Sequence, residues 1–212
     1  METDVKRIDM HISQIMEKMD KLAGKNPKFV CGKFPPEWGK PLELAEVERF
    51  EAEKGIRFPE DYRRFITTIA AEGSQPFYGL MHPLKKNREV EADIQEKFLY
   101  TLKAPLNIYD LSAEEHDQLF GGNVSKVDAG FVTLSHEGCG MYSILVVNTD
   151  DPDTYGTVWY YDLTNDAGIF PLVNPKDQEP MRFLDWLEFY VDETLELGDE
   201  EFFSYGELAG KF

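Results

Sequence analysis

The sequence predicts an α+β fold, with N-terminal helices packed on a mostly antiparallel sheet and one closing C-terminal helix. Three observations predict it. As far as Gly73 the apolar residues recur at helical spacing; from Gly130 to Val173 they come in short β-branched and aromatic runs separated by tight turns; from Phe183 the helical period returns. Helices first, a sheet later and a single helix last is an α+β order, not the strand–helix alternation of a doubly wound fold.

The elements follow in chain order. Val5, Ile8, Ile12, Ile15, Met19 and Leu22 are spaced 3-4-3-4-3, a heptad-like seam on a helix ending near Gly24. The run is shorter than the three to four heptads of a coiled coil, so the stripe is expected to dock on its own domain, with pairing to a second copy as the alternative. Asn26-Pro27 and Phe34 to Pro41 form a Pro-rich connector. Its Trp38 reads as a lid over the core or as a partner anchor. Leu42 to Gly73 then reads as a helical hairpin. Leu44, Val47 and Phe50 mark the first helix, which stops at Gly55, the residue that takes a left-handed conformation without steric cost. Pro59 opens the second helix at its first position, and Glu60 and Asp61 follow where the helix dipole favours negative charge. Tyr62, Phe65, Ile66, Ile69 and Ala70 form its apolar stripe, and Gly73 closes it.

Ser74 to Leu84 is an aromatic loop. Val90, Ile94 and Phe98, four apart, suggest a helix over Glu89 to Tyr100. Ser112-Ala113-Glu114-Glu115 is a capping box opening a short helix that ends at Gly121-Gly122. Phe131–Leu134, Met141–Val147, Thr157–Tyr161 and Gly168–Val173 read as strands of an antiparallel meander, the second apolar enough to be buried on both faces. Turn-rich loops at Asn148–Asp153 and Thr164–Gly168 separate them. Phe183, Leu184, Leu187, Tyr190, Val191 and Leu195 mark the closing helix.

Composition sets the outer limits. At 212 residues, 42% hydrophobic and 13% aromatic, the chain has material for one large domain. Cys31 and Cys139 are too far apart for a metal motif and too few for a disulfide framework, which fits a reducing compartment. The first residues have no continuous apolar stretch of a signal peptide, and no run is long enough to span a membrane. The expectation is a cytoplasmic protein, in which the glycosylation-like triplet Asn123-Val124-Ser125 has no role. The formal charge of −18, with a pI near 4.6, disfavours binding to nucleic acid or anionic lipid and favours a cationic protein partner.

The chemistry-bearing residues do not assemble into a catalytic pattern. His11, His82, His116 and His136 lack a second ligand at metal spacing. His136-Glu137-Gly138-Cys139 invites a Cys–His nucleophile reading, set against the plainer one of a small residue in a turn. Asp150, Asp151 and Asp153 invite a calcium reading but lack the alternating ligands, Gly and distal Glu of an EF-hand loop, so a solvated turn is the plainer reading. Phosphate-cradling, dinucleotide and Gly-x-Ser-x-Gly motifs are absent. No catalytic residue, cofactor or metal is therefore expected. The acids are more telling. Phe183 to Gly210 holds nine, including Asp192, Glu193, Glu196, Asp199, Glu200 and Glu201, without a Lys or Arg, and Phe202, Phe203 and Tyr205 lie among them. Those six, with Asp150, Asp151 and Asp153, are the expected partner-binding residues; the alternative is a solvated helix face with tail aromatics tucked onto the core.

Together these motifs resemble the SUKH superfamily, the Smi/Knr-type domain. The carriers are Phe50-Glu51 with Gly55-Ile56-Arg57-Phe58-Pro59-Glu60-Asp61-Tyr62 and Phe65, Gly156-Thr157-Val158-Trp159, and Phe183-Leu184-Asp185-Trp186-Leu187. The chain departs from the family at Ala71-Glu72-Gly73, where Asn-Gly is frequent, and in a long Leu84–Asp128 segment. On this basis residues 1–40 are an N-terminal helix and connector, 41–197 the SUKH-like domain and 198–212 an acidic aromatic tail. The resemblance implies a non-enzymatic, protein-binding domain. Bacterial members are implicated as immunity proteins that neutralise polymorphic toxins, many of them nucleases; fungal members regulate cell-wall synthesis. The expected molecule is an immunity protein, monomeric or weakly homodimeric through its first helix. The alternatives are a regulatory scaffold of cell-wall or signalling processes and a Cys/His enzyme.

Overall fold

The computed structural model of the chain describes residues 2–25, 33–85, 90, 92–121, 127–197 and 203–209. In order, the described elements are α1 (Glu2–Lys25), α2 (Leu44–Lys54), α3 (Glu60–Thr68), β1 (Leu106–Asn107), α4 (Ala113–Phe120), β2 (Phe131–Gly138), β3 (Met141–Val146), β4 (Val158–Asp162), β5 (Gly168–Pro171) and α5 (Phe183–Glu196). Short 3-10 turns lie at Ile108–Asp110 and Tyr205–Glu207. The fold is α+β, and the sheet is antiparallel throughout in the order β1-β5-β4-β3-β2. β2 to β5 are the expected meander. β1 is an addition: two residues that pair Leu106 with Ile169, too short to leave a period in the sequence.

Alternation within the strands gives the sheet two covered faces. Val132, Leu134, Leu145, Val158, Tyr160 and Leu172 point into a core shared with α1, α2, α3 and α5. Phe131, Tyr142, Ile144, Val146, Trp159, Tyr161 and Ile169 point the other way, into a second core covered by Val90, Phe98, Leu106, Ile108 and Val127. That explains the unbroken apolar run of β3, which has no solvated face.

The stripe of α1 docks in cis. Ile15 and Leu22 are fully buried, with Ile12 and Met19 nearly so, and the helix lies against α5. The face that would pair with a second copy is therefore occupied by the chain itself.

The connector of the helical hairpin is held by one acidic side chain. Gly55, at φ 66°, donates its N–H to the Glu51 carbonyl and turns the chain out of α2. The Glu51 carboxylate, 8% exposed, then accepts the Phe58 N–H at 2.9 Å and lies 3.3 Å from the Arg63 guanidinium. Pro59 is the N-cap of α3, one position earlier than expected. α3 also ends earlier, at Thr68 and not at Gly73. Beyond it the backbone pairs with the Pro-rich connector: Ala71 donates to the Lys40 carbonyl, Gly39 to that of Glu72, and Trp38 bridges Gly73. These tertiary bonds take over from the helix ladder. Trp38 sits partly buried, edge-on to Phe65 at 5.9 Å, as a lid.

The helix expected over Glu89 to Tyr100 does not form. Positions 89 and 91 fall outside the described residues, and 92–100 follow an irregular path. The side-chain amide of Asn148 donates to the carbonyls of Ile94, Gln95 and Glu96 at 3.2, 2.9 and 3.0 Å, and the Asn148 carbonyl accepts the Phe98 N–H at 2.8 Å. An α-helix needs those same carbonyls, so a single asparagine on the β3–β4 loop competes for them. The Ser112 capping box is present, with reciprocal bonds to Glu115, and α4 ends at Gly121.

The starts of α3 and α5 and the loop before β4 meet at one point. The Phe183 ring lies between Tyr62 (4.8 Å) and Phe65 (5.2 Å). The Asp61 carboxylate accepts the Tyr62 N–H at 2.8 Å and the Leu184 N–H at 3.3 Å, so it caps α5 as well as its own helix. The Arg182 guanidinium donates to the Tyr155 carbonyl, and the Tyr155 hydroxyl to that of Arg57. Gly156, at φ 77°, passes where a Cβ would come within 2.7 Å of Arg182 and 3.2 Å of Pro59.

Two outcomes follow. Phe183→Ala is expected to cost about 3–5 kcal/mol in denaturant unfolding, the range for removing a buried Phe ring; a loss below about 1 kcal/mol would mean that the ring is not a keystone. Asn148→Ala is expected to cost about 1–3 kcal/mol and to raise amide exchange at Phe98, leaving β4 and β5 protected.

Candidate functional site

The acids singled out in the sequence fall into separate groups. Asp150 is 89% exposed at its side chain and lies 3.3 Å from the Lys97 ammonium. Asp153 is also exposed. Asp151 is structural: its carboxylate accepts the Thr154 hydroxyl at 2.6 Å and the Asp153 N–H at 3.2 Å, an Asx turn that closes the loop on itself. On α5, Asp192 is engaged within the molecule. Lys18 of α1 reaches it and Glu188 at 2.7 Å each, and the His11 ring reaches Glu188 at 2.8 Å. Partial burial works to lower the Lys18 pKa, but hydrogen bonds to Asp192 and Glu188 outweigh it and hold the ammonium above its ordinary value. Glu188 is held low, its burial outweighed by Lys18 and His11. Glu193 is raised by burial and then by neighbouring Glu196, with Lys176 opposing. Asp199, Glu200 and Glu201 lie outside the described residues.

The structure does not bring the loop and helix groups together. Tyr155 holds the loop at the start of α5 through Arg182, and Asp192 lies about ten residues, or about 15 Å, further along that helix. Nor are the described tail aromatics, Phe203 and Tyr205, exposed as anchors. Phe203 is 9% exposed, Tyr205 fully buried, and both rings pack against Phe77 and Phe189. Phe202 lies outside the described residues.

A surface that sequence reasoning missed lies at the β1 edge of the sheet. Tyr109 is 76% exposed on the 3-10 turn, and α4 has no buried residue. Asp110, Glu114, Glu115 and Asp117 are exposed there, and Asp166 is exposed on the β4–β5 turn, where the neighbouring Ala167 carbonyl accepts the Ile108 N–H at 3.0 Å. Hydrogen bonds from the Ser112 side chain and backbone hold Glu115 below the usual carboxylate range. Among the described residues none of these five carboxylates forms an ion pair with a Lys or Arg. A signal was present. Residues 1–103 carry 18 acids and 18 Lys or Arg; residues 104–212 carry 22 acids and four. The acid surplus thus sits wholly in the second half of the chain.

The residues with catalytic potential are placed otherwise. Cys139 and Gly140, at φ 51° and 78°, form the two-residue turn between β2 and β3, and both take the left-handed conformation that a tight hairpin requires. His136 is a strand residue whose ring lies between Tyr142 (4.8 Å) and Tyr78 (5.4 Å). A groove of about 1140 Å³ runs between the end of α2, residues 72–85 and β2. It mixes Lys54 and Lys85 with Glu53, Glu72 and Asp93, and burial, reinforced by Lys85, lowers the pKa of its His82. Among the described residues no three His, Cys, Asp or Glu side chains are grouped to hold a metal ion, and no helix is long and apolar enough to cross a membrane.

The Asp151 turn carries its own test. Asp151→Ala should raise amide exchange at Asp153 and Thr154 and lower stability by about 1 kcal/mol; unchanged exchange would reassign Asp151 to the free acids.

In comparisons with known proteins, the model of the SMI1 / KNR4 family (SUKH-1) matches residues 41–177, more than half of the chain. No curated protein and no solved structure matches.

Proposed function

The chain belongs to the SMI1 / KNR4 family (SUKH-1), and from that premise we propose that it is a non-enzymatic, protein-binding module of the cytoplasm, an immunity protein that neutralises a polymorphic toxin by binding it. Residues 41–197 are taken as the domain, with 1–40 and 198–212 as extensions that share its core through α1 and Tyr205. The observation that carries the reading is the placement of charge: a neutral first half and a second half with 22 acids against four bases. Such a surface attracts a cationic protein, accelerates its encounter and repels polyanions. A nuclease has a basic face for phosphate, which an acidic protein would cover.

Within that half, Tyr109 and the carboxylates near it in the chain have the make-up of a docking patch: a large exposed ring able to fill a pocket, with exposed acids that form no ion pair with a Lys or Arg and steer the approach. The loop acids Asp150 and Asp153 form the competing patch. The α5 acids facing α1, Glu188 and Asp192, already have partners in Lys18 and His11, which disfavours them as the docking patch.

The test is a titration against the basic C-terminal domain of the protein encoded by the adjacent gene, repeated at rising salt. The association rate is expected to fall about tenfold or more as salt rises from low to high ionic strength. Glu114→Lys with Asp117→Lys should cut that rate at low salt, and Tyr109→Ala should weaken affinity about tenfold through faster dissociation. Loss on Asp150→Lys with Asp153→Lys instead would move the interface to the loop. Binding indifferent to salt and to both pairs would sink the electrostatic reading.

A further inference from the structure

Glu137 stands two residues before a hairpin turn, where a carboxylate is ordinarily solvated, yet it is 4% exposed. It lies on the helix-facing side of β2, and the chain segment Phe203–Ala209 lies across it. One carboxyl oxygen accepts the Ser143 hydroxyl at 2.7 Å, and that hydroxyl oxygen accepts the Trp186 indole N–H at 3.1 Å. The other accepts the backbone N–H of Tyr205 at 3.3 Å. The Tyr205 ring is seated among Phe77, Trp186 and Phe189, and its hydroxyl donates to the Trp186 carbonyl. Ser204 bonds the Tyr160 hydroxyl, and Gly206 passes so close that a Cβ there would lie 2.8 Å from it. The segment is therefore a plug whose seating takes Glu137 out of water.

An ionised Glu137 is compensated by the two hydrogen bonds from Ser143 and Tyr205 and, among the described residues, by no cation. Tyr160 of β4 and Tyr205 of the segment interact with Glu137 itself; Asp162 and Cys139 act on Tyr160, Tyr190 and Glu193 of α5 on Tyr205, and Glu207 on Glu193. None is a cation; Lys176 acts on Glu193. A buried carboxylate among acids and phenols favours its neutral form.

We propose that Phe203–Ala209 is a releasable plug over an aromatic slot of Phe77, Trp186 and Phe189, latched while Glu137 is protonated and loosened when Glu137 ionises. Burial pushes the Glu137 carboxyl up to about 7, against the opposing pull of the Ser143 and Tyr205 hydrogen bonds. Because the seated value is raised, the contribution to seating is full below the ordinary carboxyl value near 4.5, declines as pH rises from there through about 7, and is gone above it. The released state bares an apolar slot beside the acidic α5, so rising pH would add an aromatic surface to an already anionic one. The latch is independent of which partner the protein binds.

Hydrogen exchange on the full chain, corrected for intrinsic rates, reads the plug directly. Between about pH 5.5 and pH 8 the opening equilibrium of Phe203–Ala209 is expected to rise at least about tenfold, while strands β3 and β4 change little. Glu137→Gln should flatten that dependence. Carbon-detected NMR of the Glu137 carboxyl gives a second reading: in Tyr205→Ala, which unseats the plug without touching the carboxyl, its midpoint should fall towards 4.5. An opening equilibrium unchanged over this pH range overturns the proposal. So does a Glu137→Gln protein with the parent's slope, or a Glu137 midpoint indifferent to Tyr205→Ala.

Discussion

Phe183, held between Tyr62 and Phe65, is the contact on which the rest of the architecture depends. The residue that begins α5 thereby fixes α3, and α3 carries the Asp61 carboxylate that caps α5 in return. The bond is not free of strain on its charge. Burial pushes Asp61 upward, and two backbone N–H donors and Arg182 pull it back. The same point gathers the β3–β4 loop, because Arg182 holds Tyr155 and leaves Gly156 no room for a side chain. Three motifs spread over more than a hundred residues of sequence meet here. They are the three sides of one junction. Glu51 completes it by pinning the connector that delivers Pro59.

A sheet covered on both faces needs a second cover, and the chain supplies it with mostly irregular backbone, to which β1, the 3-10 turn and the end of α4 contribute. The helices occupy one face by ordinary amphipathic packing. The other is closed by the long segment between Leu84 and Asp128, where Phe98 meets Trp159 edge-on at 5.0 Å. Gly130, at φ 72°, lets that cover approach: a Cβ there would fall 2.2 Å from the Phe98 nitrogen and 2.3 Å from the Asn148 oxygen. With Asn148 holding three carbonyls of the same segment, position and not propensity decides its path.

Legibility in the sequence tracks how local the cause is. α2, the capping box of α4, the meander and α5 rest on spacing and caps within a few residues, and these were readable. The end of α3, the absent helix at 92–100 and strand β1 depend on partners some thirty to more than sixty residues away: Lys40 for Ala71, Asn148 for Ile94, Ile169 for Leu106. No window of local sequence contains them. Surface acids divide the same way. Their number was legible; which of them are engaged was not, since Asp192 meets Lys18 across the fold and Asp151 is absorbed by its own turn. The exposure of Tyr109 follows from its place on the edge turn and not from its neighbours in sequence.

That division of the acids bears on where a partner can sit. α1 lies outside the stretch matched by the family model, yet it acts as the counterion of α5. Lys18 spans Glu188 and Asp192, His11 shares Glu188, and the Lys25 ammonium donates to the carbonyls of Leu195 and Leu197, at the helix end where the dipole is negative. A basic partner on that side would have to displace a lysine before gaining a carboxylate, and each exchange returns little in solvent. The acids near Tyr109 form no such ion pairs: Glu115 caps its own helix and Asp110 accepts from Asn107, while Glu114 and Asp117 are exposed on α4, which packs on the second core through Leu119 and Phe120. Attraction is strongest where charge is unpaired, and binding is least disruptive where packing does not depend on the residues used. Both conditions meet at the β1 edge, apart from the junction of α3, α5 and the β3–β4 loop.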